Sequence, residues 1–248
     1  MNSDPTSDLV RRREALVRGA VASAGFASLA ALLSGCGSGT KTASAEPGIN
    51  WPNRDLHYPK PPSPKAQPKT PPKAGPALPT NIISRSEWAS GAPIPSRMDP
   101  AQPYYRITIH HDGMDAFTST DRGAASARLE QIRRAHLDRG FGDIGYHYLI
   151  DPAGRVWQGR TLEWQGAHVK ATNQGNLGVC MLGNYMEQQP TDTQLAALDR
   201  FVNSQMRTYR VNVGRVYTHR ELGPTECPGN FLQPRINALR TSGQIARA

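Results

Sequence analysis

Short stretches in which apolar and polar side chains alternate recur along the chain after residue 81. Such stretches, together with short apolar runs rich in β-branched residues, are typical of β-strands. The strands predicted in this way are 105–111, 146–150, 155–158, 177–182 and 215–218. The turn-like sequence Asp151–Gly154 separates two of them and predicts a hairpin.

Two segments have the apolar spacing of helices. The first is expected at about 129–137 and stops before Gly140. The second begins after Thr191, which has the spacing of a capping box with Gln194, and its apolar positions continue to about residue 206. Strands and helices alternate without strict βαβ spacing, so we expect one α/β domain with a central mixed sheet flanked by helices.

The N-terminal segment has the features of an export signal. A basic stretch that contains Arg12 and Arg13 precedes a 14-residue apolar run, which is too short to span a bilayer. The arginine pair resembles a twin-arginine signal, and an ordinary signal with a basic N-terminus is the alternative. The sequence Leu-Ser-Gly-Cys that ends at Cys36 resembles a bacterial lipobox. We therefore expect a signal peptide over 1–35 and a lipidated Cys36 that anchors the protein at a membrane.

A proline-rich segment follows the predicted lipidation site. Eleven of the 44 residues from 37 to 80 are prolines, and the segment has no sustained apolar periodicity. We expect 36–80 to be a disordered, semi-rigid tether. The alternative, a proline-rich ligand for a recognition domain, fits poorly with an exported protein. The folded domain is therefore expected to be 81–248.

Charge and cysteine content exclude several classes of protein. The net charge is +9, but the segment 37–80 alone holds six basic and two acidic residues. The excess of basic residues is therefore only weak support for binding of nucleic acid. A polyanionic wall or a membrane surface fits equally well, and we expect no nucleic-acid partner. Three cysteines exclude a disulfide-dense scaffold, and no apolar run reaches the 18 residues of a spanning helix.

Three candidate metal ligands lie at or after predicted strand ends. His110 is near the end of the first strand, His219 follows the last, and Cys227 comes eight residues later. Two imidazoles and a thiolate suit tetrahedral Zn²⁺ and leave a fourth position for water, as in catalytic sites. The residues alone leave other interpretations open: surface histidines, a buried thiol, or a disulfide between Cys180 and Cys227.

Several longer motifs occur in uninterrupted order between about residues 82 and 240. They are Ile83-Ser-Arg-Ser-Glu-Trp88, Ile109-His-His111, Asp143-Ile-Gly-Tyr-His-Tyr-Leu-Ile150, Gln158-Gly-Arg160, Gly166-Ala-His168 and Thr225-Glu-Cys-Pro-Gly229. Together they resemble the family of peptidoglycan recognition proteins and type 2 N-acetylmuramoyl-L-alanine amidases. The resemblance implies that family's α/β fold and hydrolysis of the amide bond between the lactyl group of muramic acid and the first L-alanine of the stem peptide.

The resemblance also implies roles for single residues. His110, His219 and Cys227 match the family's zinc ligands, and Tyr146 matches its catalytic tyrosine. Thr225 lies two residues before the third ligand, at a position where some relatives carry lysine, and is a second candidate catalytic residue.

Further residues are candidates for contact with the substrate. His168 matches a substrate-contacting position of the family. Trp164 and His111 are further candidates, each with a packed side chain as the alternative. His136 and His147 lie inside helix or strand patterns, so we assign them to the structure.

The complete set of ligands and the tyrosine predict a zinc-dependent amidase that acts on peptidoglycan. We expect a monomer in the cell envelope, held at a membrane by its lipid anchor. The alternative is a non-catalytic peptidoglycan-binding lipoprotein that tethers the membrane to the wall. A missing ligand or a missing tyrosine would be the expected signature of that alternative.

Overall fold

The computed structural model describes residues 81–243 and 245. The predicted signal peptide, Cys36 and the predicted tether lie outside these residues. Within the described part of the chain, no helix combines the length and the apolar character needed to cross a membrane.

The described residues form six strands and three α-helices. The strands are β1 (Ile82–Ile83), β2 (Arg106–His111), β3 (Tyr148–Ile150), β4 (Val156–Gln158), β5 (Asn176–Met181) and β6 (Val216–Thr218). The helices are α1 (Arg122–Asp138), α2 (Asp192–Tyr209) and α3 (Gln233–Thr241). Short 3₁₀ helices occupy Arg85–Glu87, Pro95–Arg97, Val213–Arg215 and His219–Glu221.

All six strands belong to one sheet with the order β1-β4-β3-β5-β2-β6. The pair β3 and β4 is antiparallel, as the predicted hairpin requires, and every other neighbouring pair is parallel. The predicted mixed sheet is therefore confirmed. Because β2 and β6 are parallel neighbours, their carboxyl ends lie at the same edge of the sheet.

Both faces of the sheet are buried, each against a different helix. Ile107 and Ile109 of β2 share one core cluster with residues of α2 such as Leu198 and Val202. The opposite face, with Leu149, Trp157 and Cys180, packs against α1 through Leu129 and Ile132. Side chains alternate along a strand, so His110 points to the α1 side, opposite Ile107 and Ile109.

The helices differ from the prediction in extent. Helix α1 begins at Arg122, several residues before the predicted start, with Asp121 as its N-cap accepting a hydrogen bond from the Ala124 N–H. Its first two turns consist mainly of small residues, which give no apolar periodicity. Helix α3 and the two-residue strand β1 were not predicted, because α3 buries only Ile236 among its own residues and β1 is too short to show a pattern.

The predicted capping box at the start of α2 is only half formed. The Thr191 hydroxyl accepts the Gln194 N–H at 3.0 Å, as predicted. The Gln194 side chain, however, is buried and donates to the carbonyl oxygens of Ile150 and Leu182, while it accepts from the Tyr185 hydroxyl. The reciprocal half of the prediction was wrong, because this amide satisfies main-chain groups inside the core instead.

Candidate metal and catalytic site

The three candidate metal ligands meet at the carboxyl edge of β2 and β6. His110 lies on β2, His219 directly follows β6, and Cys227 belongs to the loop after it. One potential ligand atom from each residue lies within 4.8 Å of the others. Strands that are parallel neighbours thus bring together residues that are more than one hundred positions apart.

Main-chain hydrogen bonds fold the Cys227 loop back onto β2. The His111 N–H donates to Cys227 Sγ at 3.4 Å, and the Cys227 N–H donates to the Thr225 hydroxyl at 3.2 Å. The Arg220 N–H donates to the Cys227 carbonyl oxygen at 2.9 Å. Thr225 therefore orders the loop that carries the third ligand.

The donor atoms of His110 and Cys227 have the spacing that a tetrahedral Zn²⁺ ion requires. Cys227 Sγ and His110 Nδ1 are 3.6 Å apart, and Zn–S and Zn–N bond lengths at a tetrahedral angle place such atoms about 3.5 Å apart. His110 and Cys227 are buried, whereas His219 is partly exposed. His219 therefore gives the cluster partial exposure to solvent, which a catalytic metal site requires.

Burial makes these groups suitable ligands at neutral pH. It lowers the pKa of His110 well below the usual value, with the neighbouring His219 as the next cause, and lowers the pKa of His219 to about 4. Both imidazoles are therefore neutral. Burial also raises the pKa of the Cys227 thiol to about 12, against the opposing effect of the His111 N–H. A coordinated cation supplies the positive charge that such a thiol needs to ionise.

Tyr146 lies beside the candidate ligands and is not one of them. Its ring centroid is 5.2 Å from that of His110 and 5.6 Å from that of His136, and the residue is partly exposed. Its carbonyl oxygen accepts the Arg160 N–H at 2.8 Å. The main chain of Tyr146 is thus held by a hydrogen bond, and its ring lies next to that of His110 in a residue that is partly exposed.

His168 is buried directly behind His110, with 8% of its surface exposed. Its Nδ1 is 3.0 Å from Nε2 of His110, and its Nε2 is 3.1 Å from the Asn176 carbonyl oxygen. Both ring nitrogens are engaged within the protein. This arrangement disfavours the expected direct contact with the substrate.

Trp164 and His111 are also buried, with 7% and 4% of their surfaces exposed. Trp164 forms a bridge with Pro100, and its carbonyl oxygen accepts a hydrogen bond from His147. His111 accepts the Tyr185 N–H on Nδ1 and stacks on the Tyr185 ring. The burial of both residues favours the packed alternative over contact with the substrate.

Arg160 is a structural residue whose role the motif did not reveal. Its buried guanidinium donates to the carbonyl oxygens of Ile144 at 2.8 Å, Gln165 at 2.6 Å and Asp143 at 3.0 Å. It thereby joins the segment before Tyr146 to the segment before His168. A charged side chain that binds only main-chain carbonyls leaves no signal in a local sequence pattern.

The two described cysteines are separate buried thiols. Cys180 lies on β5 in the core, paired in register with His110, and it forms no disulfide with Cys227. The structure thus disfavours the disulfide alternative.

Comparisons with known proteins agree with this arrangement. The profile of the Amidase_2 family, described as N-acetylmuramoyl-L-alanine amidase, matches residues 100–230. Peptidoglycan-recognition protein SC2 of Drosophila melanogaster is 34% identical over 166 residues, which are 66% of this chain and 87% of that protein. The N-acetylmuramoyl-L-alanine amidase of Sus scrofa is 32% identical over 171 residues, which are 64% of this chain and only 27% of that protein.

A solved structure shows the same fold. Peptidoglycan recognition protein LE, crystallised with tracheal cytotoxin, superposes with a TM-score of 0.59 at 26% identity, covering 64% of this chain and 94% of that one. The family match covers more than half of the chain, and the similarity to SC2 spans most of that relative. The chain therefore belongs to the N-acetylmuramoyl-L-alanine amidase family, Amidase_2.

Proposed function

We propose that this protein is a zinc-dependent N-acetylmuramoyl-L-alanine amidase that hydrolyses the lactyl–L-alanine amide of peptidoglycan. The observation that carries the proposal is the close grouping of His110, His219 and Cys227, with Tyr146 beside them. Many relatives are named for recognition alone, so membership of the family does not by itself establish catalysis. The complete set of metal donors favours the enzyme over a binding module.

Each residue of the site has a distinct part in this reaction. When bound by His110, His219 and Cys227, Zn²⁺ supplies Lewis-acid chemistry, polarising a carbonyl group and lowering the pKa of water toward about 7. The partly exposed His219 lies on the side that solvent and substrate reach.

Tyr146 provides a hydroxyl where negative charge develops on the scissile amide. A fixed donor at such a position stabilises the transition state more than the substrate. His168 is a poor proton donor to the departing L-alanine nitrogen, because both of its ring nitrogens are hydrogen-bonded inside the protein. We therefore assign proton transfer to Tyr146 or to solvent.

The decisive experiment measures the products released from purified peptidoglycan. The expected products are stem peptides with a new free L-alanine amino terminus, with glycan strands left uncut. Protein stripped of metal by a chelator is the matched control: it should lose this activity and regain it with added Zn²⁺. If zinc-loaded protein generates no such termini across neutral and mildly acidic pH, a peptidoglycan-binding function takes the place of the enzyme. Release of reducing sugars would contradict both functions.

We also propose that the protein works in the cell envelope, anchored through lipidated Cys36. This proposal is supported by the lipobox-like sequence alone. Cys36→Ala should move the protein from the membrane fraction to the soluble fraction, whereas Cys180→Ala should not. A Cys36→Ala variant that still fractionates with membranes would remove the support for the anchor.

A further inference from the structure

His110 uses its two ring nitrogens in different directions. Nδ1 faces Cys227 Sγ at 3.6 Å, and Nε2 faces Nδ1 of His168 at 3.0 Å. A neutral imidazole carries one N–H and one lone pair. If Nδ1 presents its lone pair to a metal, the proton of His110 must be on Nε2.

The contacts of His168 determine which of the two histidines donates. Its Nε2 is 3.1 Å from the Asn176 carbonyl oxygen, which can only accept, so Nε2 of His168 carries the proton. Nδ1 of His168 then has a lone pair and accepts the Nε2–H of His110. The opposite arrangement would point a lone pair of His168 at a carbonyl oxygen. One main-chain carbonyl thus sets the protonation of both rings.

The position of His168 is built into the surrounding chain. The His168 N–H and the Val169 N–H both donate to Asn173 Oδ1, at 2.9 and 2.8 Å. A Cβ on Gly178 would lie 2.6 Å from Cδ2 of the His168 ring, and one on Gly166 would lie 2.5 Å from the same atom. Two glycines therefore provide the space that this imidazole occupies.

We propose that His168 is a positioning residue that holds His110 in the Nε2–H tautomer, so that the Nδ1 lone pair faces the metal position. The proposal rests on the zinc-dependent function proposed above and assigns His168 a role other than contact with the substrate. Partners that orient a metal-bound histidine typically contribute 10- to 100-fold to metal affinity. His168→Ala should therefore weaken Zn²⁺ binding by about that factor.

The test compares zinc affinities of full-length variants by competition with a chromophoric chelator. His168→Asn places a side-chain oxygen close to the position of Nδ1 and should keep the affinity within a few-fold of the wild type. His136→Ala is the matched control: it removes a similarly buried imidazole on α1, which accepts the Gly145 N–H, and its zinc affinity should be unchanged. Equal affinities of His168→Ala and the wild type would overturn the proposal, as would equal losses in His168→Ala and His168→Asn.

A second measurement does not depend on the folding of any variant. ¹⁵N NMR of labelled histidines in the zinc-free wild type should show His110 protonated on Nε2 and unprotonated on Nδ1. A proton on Nδ1 would overturn the proposal by itself. If the wild type binds no zinc at all, the proposed zinc-dependent function fails together with this inference. If the wild type binds zinc and the His168→Ala variant binds it equally well, only the role of His168 fails.

Discussion

Two pairs of histidines in the described part of this protein differ in what their ring nitrogens contact. The metal-facing histidines, His110 and His219, direct nitrogens toward Cys227. The main-chain histidines, His136 and His147, each accept a backbone N–H on Nδ1. Burial lowers the pKa of all four. Neither burial nor a low pKa therefore distinguishes a candidate ligand, whereas the partner of each nitrogen does.

The backbone donors of the main-chain histidines are both glycine amides. Gly145 donates to His136 at 2.9 Å, and Gly178 donates to His147 at 3.0 Å. At Gly145 a Cβ would lie 2.4 Å from the Ala167 carbonyl oxygen, so only glycine fits this close crossing of chains. His136 therefore joins α1 to the loop before β3, and His147 joins that loop to β5, whereas the metal-facing histidines keep a lone pair for an external partner.

The largest effect is expected from removing a metal-facing histidine or the thiol that both of these histidines face. Cys227→Ser or His219→Ala should lower zinc affinity by more than about 10³-fold, or about 4 kcal/mol, because a three-ligand site cannot spare a donor. Cys180→Ala is the control, since this thiol lies in the core on β5. Metal content after dialysis and chelator competition report the result. Equal loss from the Cys180 variant would place the ion elsewhere.

The next effect separates catalysis from metal binding. Tyr146→Phe removes only a hydroxyl, so the zinc content and the binding of peptidoglycan should be retained. Turnover should fall by about 10²- to 10³-fold, as when one donor to a developing oxyanion is lost. The measurements are kcat for amide cleavage and pull-down on insoluble peptidoglycan. Unchanged kcat would exclude Tyr146 from the chemistry.

Substitution of a main-chain histidine is expected to lower the stability of the protein without loss of metal. His147→Ala leaves the Gly178 N–H and the Trp164 carbonyl oxygen without this partner and opens a cavity. We expect about 2–4 kcal/mol of lost unfolding free energy, with zinc stoichiometry unchanged. Tyr104→Phe removes one hydroxyl that contacts the same ring and should cost about 1 kcal/mol. Denaturant melts of the zinc-free proteins measure both.

The elements that the sequence predicts are those whose buried side chains recur at regular positions. Five of the six described strands and most of the first two helices were predictable because buried residues such as Ile107, Ile109 and Leu198 create clear periods of two or 3.6. The meeting of His110 and His219 followed from their positions at the ends of strands, once β2 and β6 proved to be neighbours.

The contacts that distinguish one buried histidine from another were not predictable. His168 depends on the carbonyl oxygen of Asn176, and His136 depends on the N–H of Gly145. Main-chain atoms are the same at every residue, so they leave no signature in the sequence. Gln194 was misassigned for the same reason, since two of its partners are carbonyl oxygens at strand ends.

The smallest expected effect concerns the pH dependence of stability and His136. Burial lowers the pKa of His136 to about 3 in the folded protein, from a usual value of 6.5. Below about pH 6.5 the unfolded chain binds a proton on this imidazole and the folded chain does not, so stability falls as the pH falls from 6.5 toward 3. Between pH 7 and pH 5.5 this one residue should cost about 1 kcal/mol of unfolding free energy.

Other buried histidines titrate in the same direction, so the contribution of His136 is measured as a difference between variants. His136→Asn keeps an acceptor near the Gly145 N–H but cannot titrate, and it should lose about 1 kcal/mol less than the wild type over the same interval. Phe141→Leu weakens packing on the same ring and leaves the proton equilibrium in place, so its stability should fall as steeply as that of the wild type. Denaturant unfolding of zinc-free protein at pH 7 and 5.5 gives both slopes. If the slope of His136→Asn equals that of the wild type, His136 is not the buried neutral group described here, and the main-chain pair would be reduced to His147 alone.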